Sequence, residues 1–224
     1  GRAYSTGKPD ANGLELFDVI DAVEYVKLHY ADYLIDTDTV YFEGGSGGGG
    51  NAFALAGKFP DYFAAVTALC GISDYAHWYD NDEAGEFRDE LDPWVGKTPA
   101  RDPMAYAARS GAAFVENLMA PLYTAHGETD ERVPVFHARN FLEKANAAGR
   151  GALVRYDELP GVGTRDHWGR ATPEQMAMVA AHSEKNRLRA PKPPVLPESG
   201  ELWVPGYLVT RRFSVMLDSP DKLA

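Results

Sequence analysis

Apolar residues recur at spacings of three and four from Leu14 to Tyr30, at Leu16, Phe17, Val19, Ile20, Val23 and Val26. That period predicts a helix with one buried face. Asp36-Thr37-Asp38 then reads as a turn, and Thr39 to Phe42 as a short strand. A glycine run from Gly44 to Gly50 leads into an alanine- and leucine-rich helix that ends near Gly57, before Phe59-Pro60. Three more apolar runs, Phe63 to Leu69, Asn117 to Ala125 and Ala152 to Leu159, read as strands. A helix is predicted over Pro134 to Ala147, with Gly149 as its stop. The last helix opens at Thr172-Pro173-Glu174-Gln175, where threonine is the N-cap, proline takes the first turn and glutamine completes a capping box. Gly1 to Asn12 reads as polar loop.

Strands alternating with helices imply an α/β fold around a mostly parallel sheet, with reactive groups gathered where the strands end. Two stretches break the alternation. Ser73 to Gly111 carries aromatics and acids without a strand pattern, and uninterrupted excursions of that length are usually lids or binding loops. Packing of surface helices on the sheet accounts for most of its aromatic residues. Trp78 and Tyr79, nearest the preceding strand, are the two expected to approach a ligand. Further on, Arg189 to Gly200 contains Pro191, Pro193, Pro194 and Pro197 and reads as an extended linker. Leu202-Trp203-Val204 and Arg212 to Leu217 then suggest two strands of a small β appendage. The expected division is a catalytic α/β domain over 1–188 and a linker with β appendage over 189–224.

The chemistry starts at Gly44-Gly45-Ser46-Gly47-Gly48, which fits the G-x-S-x-G nucleophile elbow. A serine on a sharp strand-to-helix corner sits in strained backbone, so its neighbours must lack side chains. The helix behind it points amides and a positive dipole end at developing negative charge. A flexible glycine-serine linker has similar composition, but a linker would not be flanked directly by an apolar strand and an apolar helix. A phosphate-cradling loop would need the Lys-Ser/Thr pair that is missing here.

Two other strand ends carry reactive side chains, Asp130 and His167, which follow Ser46 by 84 and then 37 further residues. Ser, Asp, His is the triad order of α/β-hydrolases. In that reading Ser46 attacks a carbonyl, His167 takes its proton, Asp130 holds the imidazole tautomer, and the Gly47 N–H is one oxyanion donor. His126, in the acid's own loop, is the competing histidine; Asp166, next to His167 in sequence, is the weaker acid.

Composition narrows the partners. With 22 basic and 33 acidic residues the formal charge is −11, which argues against binding a phosphate backbone. No apolar run is long enough to span a bilayer. The single cysteine, Cys70, reads as a small buried apolar residue that can form no internal disulfide. No metal-ligand cluster stands out along the sequence and no cofactor is expected. His126, Glu128 and Asp130 alternate, but the triad already accounts for that loop.

Taken together, the elbow, the run His126-Gly127-Glu128-Thr129-Asp130-Glu131-Arg132-Val133-Pro134 and the Gly163 to His167 loop resemble the catalytic domain of prolyl oligopeptidase-type serine peptidases. That group includes dipeptidyl and acylaminoacyl peptidases and related esterases. The resemblance runs from about Phe17 to Glu184, and its most specific element is the acid loop. It implies an α/β-hydrolase fold, the triad Ser46, Asp130 and His167, and cleavage of peptide or ester bonds through an acyl-enzyme. A carboxylesterase of the same fold and a non-catalytic binding protein retaining the triad are the alternatives. Gly47 stands where the family usually has a large residue, which would open the pocket. The histidine loop, Gly163-Thr164-Arg165-Asp166-His167-Trp168, also differs from the family's Gly-His-Gly type of run. The family's fold has further strands ahead of the nucleophile strand, and the second oxyanion donor comes from that region. The strand before Ser46 is therefore expected to present an unpaired edge and a bare apolar face. An N-terminal segment, a partner chain or the C-terminal strands would cover them.

Overall fold

Four strands build the sheet: β1 (Tyr41–Gly45), β2 (Ala65–Leu69), β3 (Leu122–Gly127) and β4 (Val154–Leu159). They lie in chain order and every pair is parallel. The computed structural model describes residues 6–83 and 85–224; residues 1–5 of the expected N-terminal loop and Ala84 of the aromatic excursion lie outside the described residues. Each crossover carries helix. α1 (Leu16–His29) precedes the sheet, α2 (Gly47–Lys58) links β1 to β2, and α3 (Tyr75–Asp80), α4 (Arg88–Val95) and α5 (Pro103–Ala107) lie between β2 and β3. α6 (Phe136–Ala147) joins β3 to β4, and α7 (Pro173–Leu188) follows β4. Strands β5 (Tyr207–Val209) and β6 (Ser214–Met216) form a separate antiparallel pair.

The alternation of side chains along β3 sorts the helices onto two faces. Leu122 joins Phe53, Phe59, Phe114 and Phe141 in the main core, with α2 and α6. Tyr123 and Ala125 point the other way, to Val179 of α7. The capping box at Thr172 is present, with Gln175 N–H donating to Thr172 Oγ1 at 3.2 Å and Gln175 Oε1 accepting from Thr172 N–H at 2.9 Å.

Several boundaries move. β1 continues through Gly45, past the expected end at Phe42, because its ladder with β2 runs to Leu69. β3 begins at Leu122, after a 3-10 turn at Val115–Asn117, and not at Asn117. Asn117 instead ties distant backbone together, donating from Nδ2 to Gly57 O and Trp203 O. Leu202-Trp203-Val204 is not a ladder strand. Its end meets the C-terminus instead, through an isolated antiparallel bridge between Pro205 and Leu223 and with Ala224 N–H donating to Val204 O at 3.2 Å; Gly206 then turns the chain at φ 75°, and the ladder with β6 starts at Tyr207. Tyr207 is fully buried in the main core, 4.6 Å from the Phe17 ring and 5.9 Å from Phe59.

Lys58, at the end of α2, is also fully buried. Its ammonium lies over the Tyr207 ring at 4.3 Å and makes no hydrogen bond among the described residues. Burial, with the Arg109 charge adding to it, pushes the amine down to about 7. The unfolded chain holds that proton up to about pH 10. The share of stability that Lys58 controls therefore falls as pH drops from about 10 to about 7 and levels off below. Lys58→Met is expected to raise stability at neutral pH by about 2–4 kcal/mol and to flatten that slope. Urea midpoints measured across the pH range check both.

Among the described residues, β1 pairs only with β2, so its outer edge is open. β5 and β6 do not pair with it; Tyr41 Oη on that strand donates to Ala190 O at 3.0 Å. Beside the edge, Tyr25, Val26 and Leu28 of α1, then Tyr30, Tyr33 and Ile35, are exposed.

Candidate active site

Ser46 is the corner between β1 and α2, at φ 56° and ψ −119°. A non-glycine residue there is strained, and the surrounding backbone holds it: Ser46 N–H donates to Leu69 O at 2.9 Å and Gly50 N–H to Ser46 O at 3.0 Å. The motif's first glycine has a steric cause. A Cβ on Gly44 would lie 2.2 Å from the carbonyl oxygen of Gly48. Gly44→Ala is thus expected to push α2 away from β1, costing at least about 1–3 kcal/mol. Thermal unfolding of the variant tests it.

Ser46 Oγ caps no helix amide. It lies 2.9 Å from His167 Nε2, while His167 Nδ1 lies 2.7 Å from Asp130 Oδ2. The carboxylate can only accept, so Nδ1 carries the proton and Nε2 accepts from the hydroxyl. Asp130 Oδ1 in turn accepts the backbone N–H groups of Arg132 and Val133 at 2.9 and 3.0 Å. Burial alone would push the Asp130 carboxyl up, but donors from His126, His167 and Val133 outweigh it and hold the group below the usual carboxylate range. The three side chains thus meet at the carboxyl end of the sheet, on the loops after β1, β3 and β4.

The two outer loops are laced together. Thr129 N–H donates to Val162 O at 2.8 Å, and Thr129 Oγ1 lies 3.0 Å from both Val162 O and Gly163 O. Gly163, at φ 122°, sits so close that a Cβ would be 2.3 Å from Asp130 N. His126, the competing histidine, is fully buried behind the acid. Its Nε2–H donates to Val133 O at 2.7 Å and lies 3.5 Å from Asp130 Oδ2. Asp166 is exposed; its backbone N–H bonds Thr164 Oγ1, and it bonds neither Ser46 nor the His167 ring.

A cleft of about 490 Å³ opens at Ser46, Gly47 and Gly48, walled by Ile72, Tyr75, Trp78, Phe87 and Trp94. Gly47 is the first residue of α2 and is exposed to this cleft, so its N–H has no intrahelical carbonyl to bond. Of the two aromatics expected near a ligand, Trp78 lines the cleft and Tyr79 does not. Tyr79 Oη turns away to Asp92 Oδ1 at 2.9 Å, and its ring packs on Tyr106, because residues of one helical turn face different sides.

Sequence reading missed a clamp. Glu86, in the excursion, takes Arg132 Nη2 at 2.7 Å and Arg165 Nη2 at 2.7 Å. It therefore bridges the lid to both the acid loop and the histidine loop. Trp78 completes the junction, stacking on Phe87 at 4.1 Å and donating from Nε1 to Arg132 O at 3.1 Å. Only the three charges in one excursion and two catalytic loops hinted at this. Exposed pairs contribute about 0–1 kcal/mol each and weaken with salt. Glu86→Gln is expected to lower kcat/KM about three- to tenfold, mostly through KM, for a loss of roughly 1 kcal/mol. Added salt should erode the wild-type rate and leave the variant's unchanged.

A profile described as the prolyl oligopeptidase family matches residues 1–183. Esterase LipQ of Mycobacterium tuberculosis is 31% identical over 157 residues, covering 65% of this chain and 37% of LipQ. The uncharacterized peptidase YtmA of Bacillus subtilis is 26% identical over 144 residues, covering 64% of this chain and 54% of YtmA. An acylaminoacyl peptidase from Pyrococcus horikoshii superposes with a TM-score of 0.68 at 21% identity, over 86% of this chain and 30% of that one. The chain thus spans between about a third and about half of the curated relatives named here. The profile covers most of the sequence, and the parallel sheet with its elbow is the fold of the solved relative: the chain belongs to the prolyl oligopeptidase family.

Proposed function

We propose that this protein is a serine hydrolase that cleaves peptide bonds through an acyl-enzyme. The observation that carries the reading is the unbroken chain of hydrogen bonds from Ser46 through His167 to Asp130 at an elbow facing an aromatic cleft. Ser46 Oγ adds to the substrate carbonyl while His167 Nε2 takes its proton. The imidazolium that forms is stabilised by Asp130 and returns the proton to the leaving amine. Water then repeats the sequence on the ester and frees Ser46. The Gly47 N–H, at the positive end of α2, receives the oxyanion. Trp78 and Phe87 form the wall against which an apolar substrate group packs.

A second reading, a carboxylesterase with the same triad, draws on the identity to LipQ. Triad geometry does not separate the two, since both bonds pass through the same tetrahedral intermediate. The test has two arms. A fluorophosphonate should label the wild type and not Ser46→Ala; a folded protein that takes no label is a binding protein with a retained triad. Aminoacyl- and prolyl-amide substrates are expected to turn over beside p-nitrophenyl esters, and hydrolysis of short esters alone assigns the protein to the esterases.

The open edge of β1 belongs to the same proposal. A further β segment, from the same polypeptide or from a partner chain, pairs with it, covers Tyr25, Val26 and Leu28, and supplies the second oxyanion donor. Support comes from the unpaired ladder and the exposed apolar face beside it. Hydrogen exchange on the active protein decides it: rapid exchange throughout β1 would sink the idea.

A further inference from the structure

Cys70 directly follows β2; its N–H donates to Ala125 O at 2.9 Å, and only 1% of it is exposed. That register brings its thiol beneath the acid loop. Among the described residues, Cys70 Sγ, a carboxylate oxygen of Asp130 and a ring nitrogen of His167 lie within 4.8 Å of one another. The Asp130 oxygens divide the work: Oδ1 is committed to two backbone N–H groups, while Oδ2 meets two imidazoles, His167 at 2.7 Å and His126 at 3.5 Å. A thiol, an imidazole and a carboxylate form a donor set that suits a thiophilic divalent cation such as Zn2+ and not Mg2+ or Ca2+.

We propose that Cys70 Sγ, His167 Nδ1 and Asp130 Oδ2 form an inhibitory site for a thiophilic divalent metal ion. Zinc bonds of about 2.0–2.3 Å set ligand-to-ligand separations of roughly 3.3–3.8 Å. The His167–Asp130 pair therefore opens from 2.7 Å by roughly 0.6 Å, and the thiol, within 4.8 Å, closes on them, shifts on the scale of loop adjustment. The chemistry balances without redox change. The thiol loses its proton to solvent and binds as thiolate. The Nδ1 lone pair goes to the metal, and the ring proton formerly on Nδ1 moves to Nε2. Ser46 Oγ then faces a donor where it needs an acceptor, so the general base is lost while the serine is untouched. Water or the His126 side gives the fourth position.

The coordination rests on this geometry alone, and its inhibitory consequence rests on the hydrolase reading; two readouts keep them apart. The first is binding. Co2+ added to the wild type should give one thiolate-to-cobalt charge-transfer band per chain, absent in Cys70→Ala. No band in the wild type, or an unchanged band in the variant, overturns the site whether or not the protein is a hydrolase. The second is turnover. Zn2+ should inhibit the wild type reversibly, with EDTA restoring the rate and Mg2+ without effect. Cys70→Ala, which removes a ligand and no triad member, should raise the half-inhibiting zinc concentration by at least about tenfold. Cys70→Ser keeps the volume and serves if alanine unfolds the protein; it should weaken inhibition in the same direction. Equal zinc sensitivity in both variants and the wild type, or equal inhibition by Mg2+, overturns the proposal.

Discussion

Ser46→Ala is expected to lower kcat by about a million-fold, the loss seen when a triad nucleophile is removed and only binding and oxyanion stabilisation remain. The fold should not register the change. Ser46 Oγ caps no helix amide and, among the described residues, its only side-chain hydrogen bond is to His167 Nε2. Alanine at φ 56° carries the strain serine already carries, and the backbone bonds to Leu69 O and from Gly50 N–H survive. The unfolding midpoint should stay within about 0.5 kcal/mol of the wild type. A variant that keeps even a hundredth of the rate would point to a nucleophile other than Ser46. Active-site titration alongside steady-state kinetics makes that distinction against trace contamination.

Asp130→Asn is expected to cost about 10⁴ in kcat. The carboxylate accepts on both oxygens: Oδ1 from Arg132 and Val133 N–H, Oδ2 from His167 Nδ1–H. An amide cannot do both. If its NH2 faces His167, Nδ1 must accept, the ring proton sits on Nε2, and Ser46 meets a donor. If its oxygen faces His167, the NH2 group opposes two backbone N–H groups in a buried loop, at a cost of about 1–3 kcal/mol for each unsatisfied donor. The first orientation lowers kcat and leaves KM near the wild type, so a KM-led change would contradict the tautomer argument. The native carboxylate also ties folding to acidity. Its folded pKa is depressed, so its stabilising share is present above about pH 4 and is lost as the solution is acidified further. In Asp130→Asn that acid-dependent share should vanish, which urea unfolding at successive pH values would detect.

Local chemistry made parts of this molecule legible and left others hidden. The elbow could be read because a strained corner leaves a steric signature in a neighbouring residue: Gly44 is a glycine because a Cβ there would run into the Gly48 backbone. The start of α7 could be read because its capping box lies within four residues. Ser46, Asp130 and His167 stood out as polar residues just past apolar runs, and the parallel order of β1, β3 and β4 brings their loops to one end. What stayed hidden depends on register and on long-range side-chain reach. Nothing local to Cys70 distinguishes a thiol in a plain core from one beside Asp130; the pairing of β2 with β3 decides it. Tyr79 and Trp78 are adjacent in sequence, yet one helical step separates a cleft wall from a contact with Asp92. Glu86 meets arginines 46 and 79 residues away. The C-terminal hairpin slipped past its expected start because Val204 and Pro205 meet the distant residues Leu223 and Ala224, and Gly206 turns the chain before the ladder begins.

The parallel order of the sheet has a kinetic consequence. Each neighbouring strand pair closes only after an intervening crossover has been drawn back, so much of the native contact map joins residues distant in sequence. The nucleophile and the imidazole come from the first and last strands of that series, so refolding chains should regain helical signal before they regain hydrolytic competence. A half-assembled chain would carry α2 and its serine with no base beside it: such intermediates would be compact, catalytically silent, and exposed along every strand still waiting for its neighbour.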